Sequence, residues 1–249
     1  MQLHRVRAIS FDLDDTLWPF HACLHRAEAA LLAWLRTHAP RTAPLLADSA
    51  ALMRYRAQAE LDFPELRADL SGLRRASIRA LLIAAEEDPS MAEPAFEAFF
   101  EERLRVDLYP EVAEVLAGLA RRLPLVALTN GNACIHKAGI GPHFKGIVSA
   151  ATLGVGKPAP EAFQAAAALA GVDVSELLHV GDDWQLDVVG AVNAGAQAVW
   201  IVREEGRSRG VDPATALHLK VADLKALCRA LGEQTLPVDG ATGSRQSGV

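Results

Sequence analysis

Apolar and polar positions follow two different rhythms along this chain. Val6 to Phe11 is a short apolar run rich in strand formers, which predicts a buried strand. From residue 21 to 106 the spacing becomes helical. Leu24, Ala27, Leu31 and Leu35 predict one helix, and Ala51, Met53 and Tyr55 sit in a second. Leu73, Ala76, Ile78, Leu81 and Leu82 mark a third, and Phe96, Phe99, Phe100 and Leu104 a fourth. Pro40, Pro44, Pro64, Pro89 and Pro94 punctuate the breaks. This stretch carries almost no strand signal and predicts a bundle of about four helices.

After Tyr109 strand and helix alternate. Pro110-Glu111 opens a helix with Val112, Val115, Leu116 and Leu119 on one face. Leu125 to Leu128 predicts a strand that stops at Thr129-Asn130-Gly131, and Ile147-Val148 a short one. Glu161 to Ala170 predicts a helix with Phe163 and Leu169 inward. Leu177 to Val180 predicts a strand ending at Gly181-Asp182-Asp183. A helix over Asp187 to Ala194 and a strand over Ala198 to Ile201 follow. Such alternation implies a parallel sheet covered on both faces, an α/β fold with a helical insertion. Residues 233–249 have little apolar content and predict a mobile tail.

Composition narrows the partners. The 249 residues are 51% hydrophobic and 22% charged, ordinary for a globular chain. A net charge of −6 argues against nucleic acid or an anionic membrane as the main partner. No apolar stretch approaches the roughly 20 residues of a membrane span. Met1 to Arg7 lacks the apolar segment of a signal peptide. Cys23, Cys134 and Cys228 are far apart and read as reduced thiols. The expected compartment is the cytoplasm.

The chemistry gathers where apolar runs end. Phe11-Asp12-Leu13-Asp14-Asp15-Thr16-Leu17 places three carboxylates within four positions. Such acids repel, and burying them unpaired is costly, which a cation or a cationic side chain nearby would relieve. Loops after the carboxyl ends of parallel strands meet in one crevice. Asp12, Asp14, Thr129, Asn130, Asp182 and Asp183 should converge there, joined by Lys157 from the loop after Gly154-Val155-Gly156. Acids without a thiolate or histidine cluster suit a hard cation, Mg²⁺ above others. The lysine and the metal together would take a dianion such as phosphate.

Asp12-Leu13-Asp14-Asp15-Thr16, Thr129-Asn130-Gly131, Lys157-Pro158 and Gly181-Asp182-Asp183 with Asp187 resemble, in order, the four motifs of the haloacid dehalogenase superfamily. The resemblance implies a Rossmann-like doubly wound core over residues 1–20 and 107–232, with a helical cap over 21–106. It also implies roles. Asp12 would be the nucleophile and Asp14 the general acid and base. Thr129, Asn130 and Lys157 would bind phosphate. Asp12, the Asp14 backbone carbonyl and Asp182 would hold Mg²⁺, with Asp187 in support. Family dehalogenases lack an acid two residues after the first aspartate. A halide leaves without a proton whereas an alkoxide needs one, so Asp14 favours a phosphatase. The Phe-Asp-Leu-Asp-Asp-Thr-Leu-Trp opening and His179-Val180-Gly181-Asp182-Asp183 are similar to a bacterial branch acting on flavin mononucleotide and 5-amino-6-(5-phospho-ribitylamino)uracil. A phosphomutase of sugar phosphates shares the same residues. A silent binding protein on this fold would be expected to have lost one of them.

Other residues carry two readings each. Trp18 could stack on a flat substrate ring or anchor the hinge. Asp69, Ser71, Arg74 and Arg75 could read the substrate or form a solvated helix face. His21 and His25, at i and i+4, have a metal-ligand spacing but read better as surface or hinge residues. His179, inside an apolar strand, reads as a satisfied core histidine. Trp184 reads as cover for the core edge.

Overall fold

The computed structural model describes residues 2–46, 50–203 and 218–235. Strands β1 (Ala8–Phe11), β2 (Leu125–Thr129), β3 (Gly146–Ser149), β4 (Leu177–Gly181), β5 (Gln197–Ile201) and β6 (His218–Val221) form one sheet. Its order is β3-β2-β1-β4-β5-β6, and every pair is parallel. β1, β2 and β4 are buried along their whole length, which is why they read as unbroken apolar runs. β1 lies between β2 and β4, pairing Phe11 with Ala127 on one side and Val180 on the other.

The chain between β1 and β2 forms helices α1 (Phe20–His38), α2 (Ala51–Asp62), α3 (Leu70–Ala84) and α4 (Ala92–Arg103). In α1 the buried residues Cys23, Ala27, Leu31 and Leu35 recur every fourth position and form one stripe. Ala27, Leu31 and Leu35 of that stripe pack against Ile78, Leu81 and Leu82 of α3 and Phe96 and Phe99 of α4, while Cys23 joins the core under the sheet. Removing one such leucine costs about 2–5 kcal/mol. Asp69 caps α3 by accepting from the Gly72 amide at 2.9 Å.

Helices α5 (Val112–Ala120), α6 (Ala150–Leu153), α7 (Pro160–Ala170), α8 (Gly190–Asn193) and α9 (Leu224–Thr235) accompany the sheet. Alternating side chains divide its two faces. Ile9, Phe11, Leu125 and Ala127 face Leu116 of α5 and Leu227 of α9, while Ala8, Val126 and Leu128 face Phe163 and Ala166 of α7.

Three expectations need correction. Leu169 is 40% exposed rather than inward. It lies six positions after Phe163, about 240° around the helix, so both cannot face the sheet. The helix expected over Asp187–Ala194 is a π-helical turn, Trp184–Val189, running into the short α8. Residues 233–235, expected in a mobile tail, continue α9; positions 236–249 lie outside the described residues. β6 and α9 were not foreseen in the pattern.

Candidate active site

Three neighbouring strands deliver the site. Asp12 follows β1, Thr129 ends β2, and Asp182 follows β4. The Lys157 ammonium sits between acids, 2.5 Å from Asp12 Oδ1 and 2.6 Å from Asp187 Oδ1. Carboxylate oxygens of Asp12, Asp182 and Asp187 all lie within 4.8 Å of one another. The π-helical turn brings Asp187 back to the end of β4, where its Oδ2 accepts from the Asp183 amide at 2.9 Å. A methyl group on Gly181 would collide with the Asp187 carboxylate, so this approach requires glycine. The Asp182 carbonyl accepts from Trp200 Nε1 at 2.8 Å, and its carboxylate from the Thr16 hydroxyl at 3.3 Å. His179 is fully buried and bonded on both sides, Nδ1 to Ser10 Oγ at 2.8 Å and Nε2 to Asp187 Oδ1 at 3.1 Å.

After β1 the chain turns sharply. Asp15 takes a left-handed φ of 59°, a conformation aspartate tolerates better than most residues. Its amide donates to the Trp18 carbonyl at 2.8 Å, and its Oδ1 accepts from the Phe20 amide at the start of α1. Asp14 is thereby presented with both oxygens engaged. Trp18 Nε1 donates to Oδ1 at 2.9 Å and Arg103 Nη2 to Oδ2 at 2.6 Å.

Trp18 is therefore corrected as a substrate-stacking candidate. It is wholly buried, among Phe11, Leu13 and Leu17, and anchors the turn into α1. Asn130 lines the site, but its side chain is turned to the neighbouring loop. Its amide is spent on the next loop, donating to the Lys157 carbonyl at 2.7 Å and accepting from the Lys157 amide at 2.8 Å. Thr129 Oγ1 accepts from the Gly131 amide at 2.9 Å, which leaves its own proton to donate.

The electrostatics of the acid cluster are those of carboxylates that could hold a cation. Burial raises the Asp12 carboxyl to about 7, with repulsion from Asp187 adding to it against the pull of Lys157. Burial and then Asp12 and Asp187 raise Asp182 to about 8. For Asp187 burial is outweighed by Lys157 and His179, which hold it well below the carboxylate range. For Lys157 burial is outweighed by Asp12 and Asp187, which raise it. Burial raises Asp14 against Arg103, and lowers His179. Oxygen donors destabilised in their charged form first by burial and then by one another fit a hard divalent ion.

These groups line a cavity of about 340 Å³. Phe20, Arg56 and Leu70 from the helical bundle close its other side. A larger hollow of about 1000 Å³ lies between Arg26, Glu101, Arg105 and Lys137, away from the acid cluster. Arg74 is buried rather than part of a solvated face, with its guanidinium 4.5 Å over the Phe99 ring. Arg75 instead turns outward to Glu93 at 2.9 Å. His21 and His25 stack on each other at 4.4 Å, exposed and outside the acid cluster. Arg103 and Arg56 escaped the sequence reading, since nothing in helical spacing distinguishes them from solvated arginines.

Fold and site define a hydrolase of the haloacid dehalogenase-like type. Residues 6–195 match the profile of the haloacid dehalogenase-like hydrolase family, and the chain belongs to it. Among curated relatives, the 5-amino-6-(5-phospho-D-ribitylamino)uracil phosphatase YigB of Escherichia coli is 34% identical over 230 residues, 90% of this chain and 96% of that protein. A phosphoserine phosphatase of Thermus thermophilus is 39% identical over 158 residues, 61% of this chain and 62% of its own. A solved structure described as a 2-haloacid dehalogenase from Pseudomonas syringae superposes with a TM-score of 0.83 at 33% identity. It covers 92% of this chain and 99% of that one.

Proposed function

We propose that this chain is a Mg²⁺-dependent phosphatase of small phosphomonoesters, acting through an aspartyl-phosphate. One observation carries the reading: Asp12, Asp182 and Asp187 crowd within 4.8 Å around one buried lysine. Asp12 and Asp182, with the Asp14 carbonyl, would hold Mg²⁺, which neutralises the charge of an incoming dianion.

The chain's own groups do the rest. The Asp12 oxygen not held by Lys157 attacks phosphorus, and the bond from phosphorus to the alcohol oxygen breaks. Asp14, in its acid form, gives that oxygen a proton. Asp14 then takes a proton from the water that attacks phosphorus, and Asp12 leaves as a carboxylate. Lys157 has three donors, two of them used by Asp12 and Asp187, which leaves one for a phosphoryl oxygen. Thr129 offers a second. Residues 21–106 act as a cap that excludes bulk water, a role supported by Arg56 and Leu70 in the cavity wall.

The likeness to the Escherichia coli enzyme supports phosphoribitylaminouracil, with flavin mononucleotide, as the first substrates to try. Three free cysteines suit a reducing compartment such as the cytoplasm. Asp14 favours phosphate transfer over dehalogenation, because it supplies the proton an alkoxide requires. The test is a phosphate-release screen with Mg²⁺ across flavin mononucleotide, phosphoribitylaminouracil, sugar phosphates and nucleotides, repeated with Asp12→Asn. Turnover in the variant within tenfold of the parent would refute the covalent route.

A further inference from the structure

Beside the phosphoryl site, a second cavity of about 140 Å³ opens between the helical bundle and the loop after β2. Arg56, Arg74 and Arg103 line it, with Phe20, Phe99 and Asn132. It shares Asp14, Phe20, Arg56, Leu70 and Gly131 with the main cavity. The two hollows therefore meet at the group that serves the leaving oxygen.

The lining holds three guanidiniums and one carboxylate, Asp14. Asp14 satisfies only part of one of them. Arg103 spends Nη2 on Asp14, while its buried Nη1 has no hydrogen-bond partner. Arg74 is 8% exposed and, among the described residues, makes no side-chain hydrogen bond or ion pair. Its guanidinium rests on the Phe99 ring, 4.5 Å from the centroid. Burial and Arg56 lower it to about 10, with Glu28 opposing, so it stays charged at neutral pH. Arg56 reaches Glu60 through Nε at 3.3 Å.

Buried donors without acceptors are costly, and buried charges without partners more so. An acceptor entering from the cavity would relieve Arg74, whereas the Arg103 Nη1 is sealed away from it. Guanidinium forks match paired oxygens, and the flanking rings of Phe20 and Phe99 suit a flat group. We infer that this cavity holds the leaving-group end of the substrate through a head that presents paired oxygen acceptors. A carboxylate presents that pair on one carbon; a pyrimidine-2,4-dione also carries two acceptor oxygens, but an N–H lies between them, so each oxygen would meet a different guanidinium. The inference rests on the phosphatase reading, since it takes the phosphate to sit at Asp12.

Calorimetry with non-hydrolysable phosphonates in the presence of Mg²⁺ tests it. One pair compares 3-phosphonopropionate with propylphosphonate. The other compares a uracil bearing a phosphonopentyl chain with phenylpentylphosphonate. In at least one pair the acceptor-bearing ligand should bind about tenfold tighter, and the pair that does so names the head group. In Arg74→Met that ratio should fall below about threefold, and Arg74→Lys should recover part of it. Equal binding within both pairs overturns the inference, as does a ratio unchanged in Arg74→Met. Should no phosphonate bind at all, the phosphatase reading itself fails, and the inference falls with it.

Discussion

Arg103, the last residue of α4, donates to Asp14 at 2.6 Å across 89 positions of sequence. Both side chains are largely removed from water. The general acid and base proposed for the reaction is thus set in place by the helical bundle as well as by its own turn.

Loss of that contact should be felt in turnover. Arg103→Met frees Asp14 Oδ2 and lets the carboxylate wander, and a misplacement of about 1 Å can cost about a hundredfold. Steady-state kinetics should show kcat down by roughly ten- to a hundredfold, with Arg103→Lys partly restored. Unchanged kcat in Arg103→Met would mean the ion pair is structural only.

Trp18→Phe keeps most of the buried ring and deletes the donor to Asp14 Oδ1. We expect kcat to fall about tenfold, in line with losing one hydrogen bond to a charged group. The loss should be equal for flat-ringed substrates and small esters, because Trp18 is sealed in the core. A selective loss on flavin mononucleotide would restore the stacking role that its burial argues against.

Asp14→Asn should slow the reaction by about 10² to 10⁴, the usual weight of a positioned acid or base. Esters with acidic leaving groups, such as a nitrophenyl phosphate, should suffer less in the first step. Single-turnover rates for aryl and alkyl esters make the comparison, and identical losses would remove the acid role.

Stability should respond to pH and Mg²⁺ together. Asp12 and Asp182 have folded-state values of about 7 and about 8, above the ordinary carboxyl value. Acids raised in this way favour the folded state while protonated, and that contribution is lost as pH rises through the folded value. His179, lowered by burial, acts in the opposite sense, and its cost appears as pH falls below about 6.5. Without divalent ions the melting temperature should fall between about pH 6 and 8. Mg²⁺ should raise it, more at pH 8 than at pH 6, because the ion needs ionised ligands. Thermal scans with EDTA or Mg²⁺ measure both, and a Mg²⁺ effect that does not grow with pH would contradict the proposed ligands.

What the sequence disclosed was what lies close together along it. β1, β2 and β4 are buried on both faces, so each reads as an apolar run, and Asp12, Thr129 and Asp182 stand at their visible ends. Local patterning cannot report contacts between distant segments. Arg103 lies in a helix whose apolar residues fix its stripe but not what an arginine at its end will touch. The Asn130 amide is consumed by a loop 27 residues away. The π-helical turn that returns Asp187 to β4 has no periodic signature, since a single wider turn is too short to show one. β6 is only half-buried at its first two residues, and its pattern is correspondingly weak.

The two grips on Asp14 come from opposite ends of one excursion of the chain. Trp18 lies where the backbone departs for the helical bundle, and Arg103 where it is about to come back. A swing of the bundle away from the sheet would pull on one hand of that grasp and leave the other in place. The proton-handling carboxylate would then act as a latch tongue. On the phosphatase proposal it would be fully seated with the door shut over an ester, and loose with the door open for product to leave.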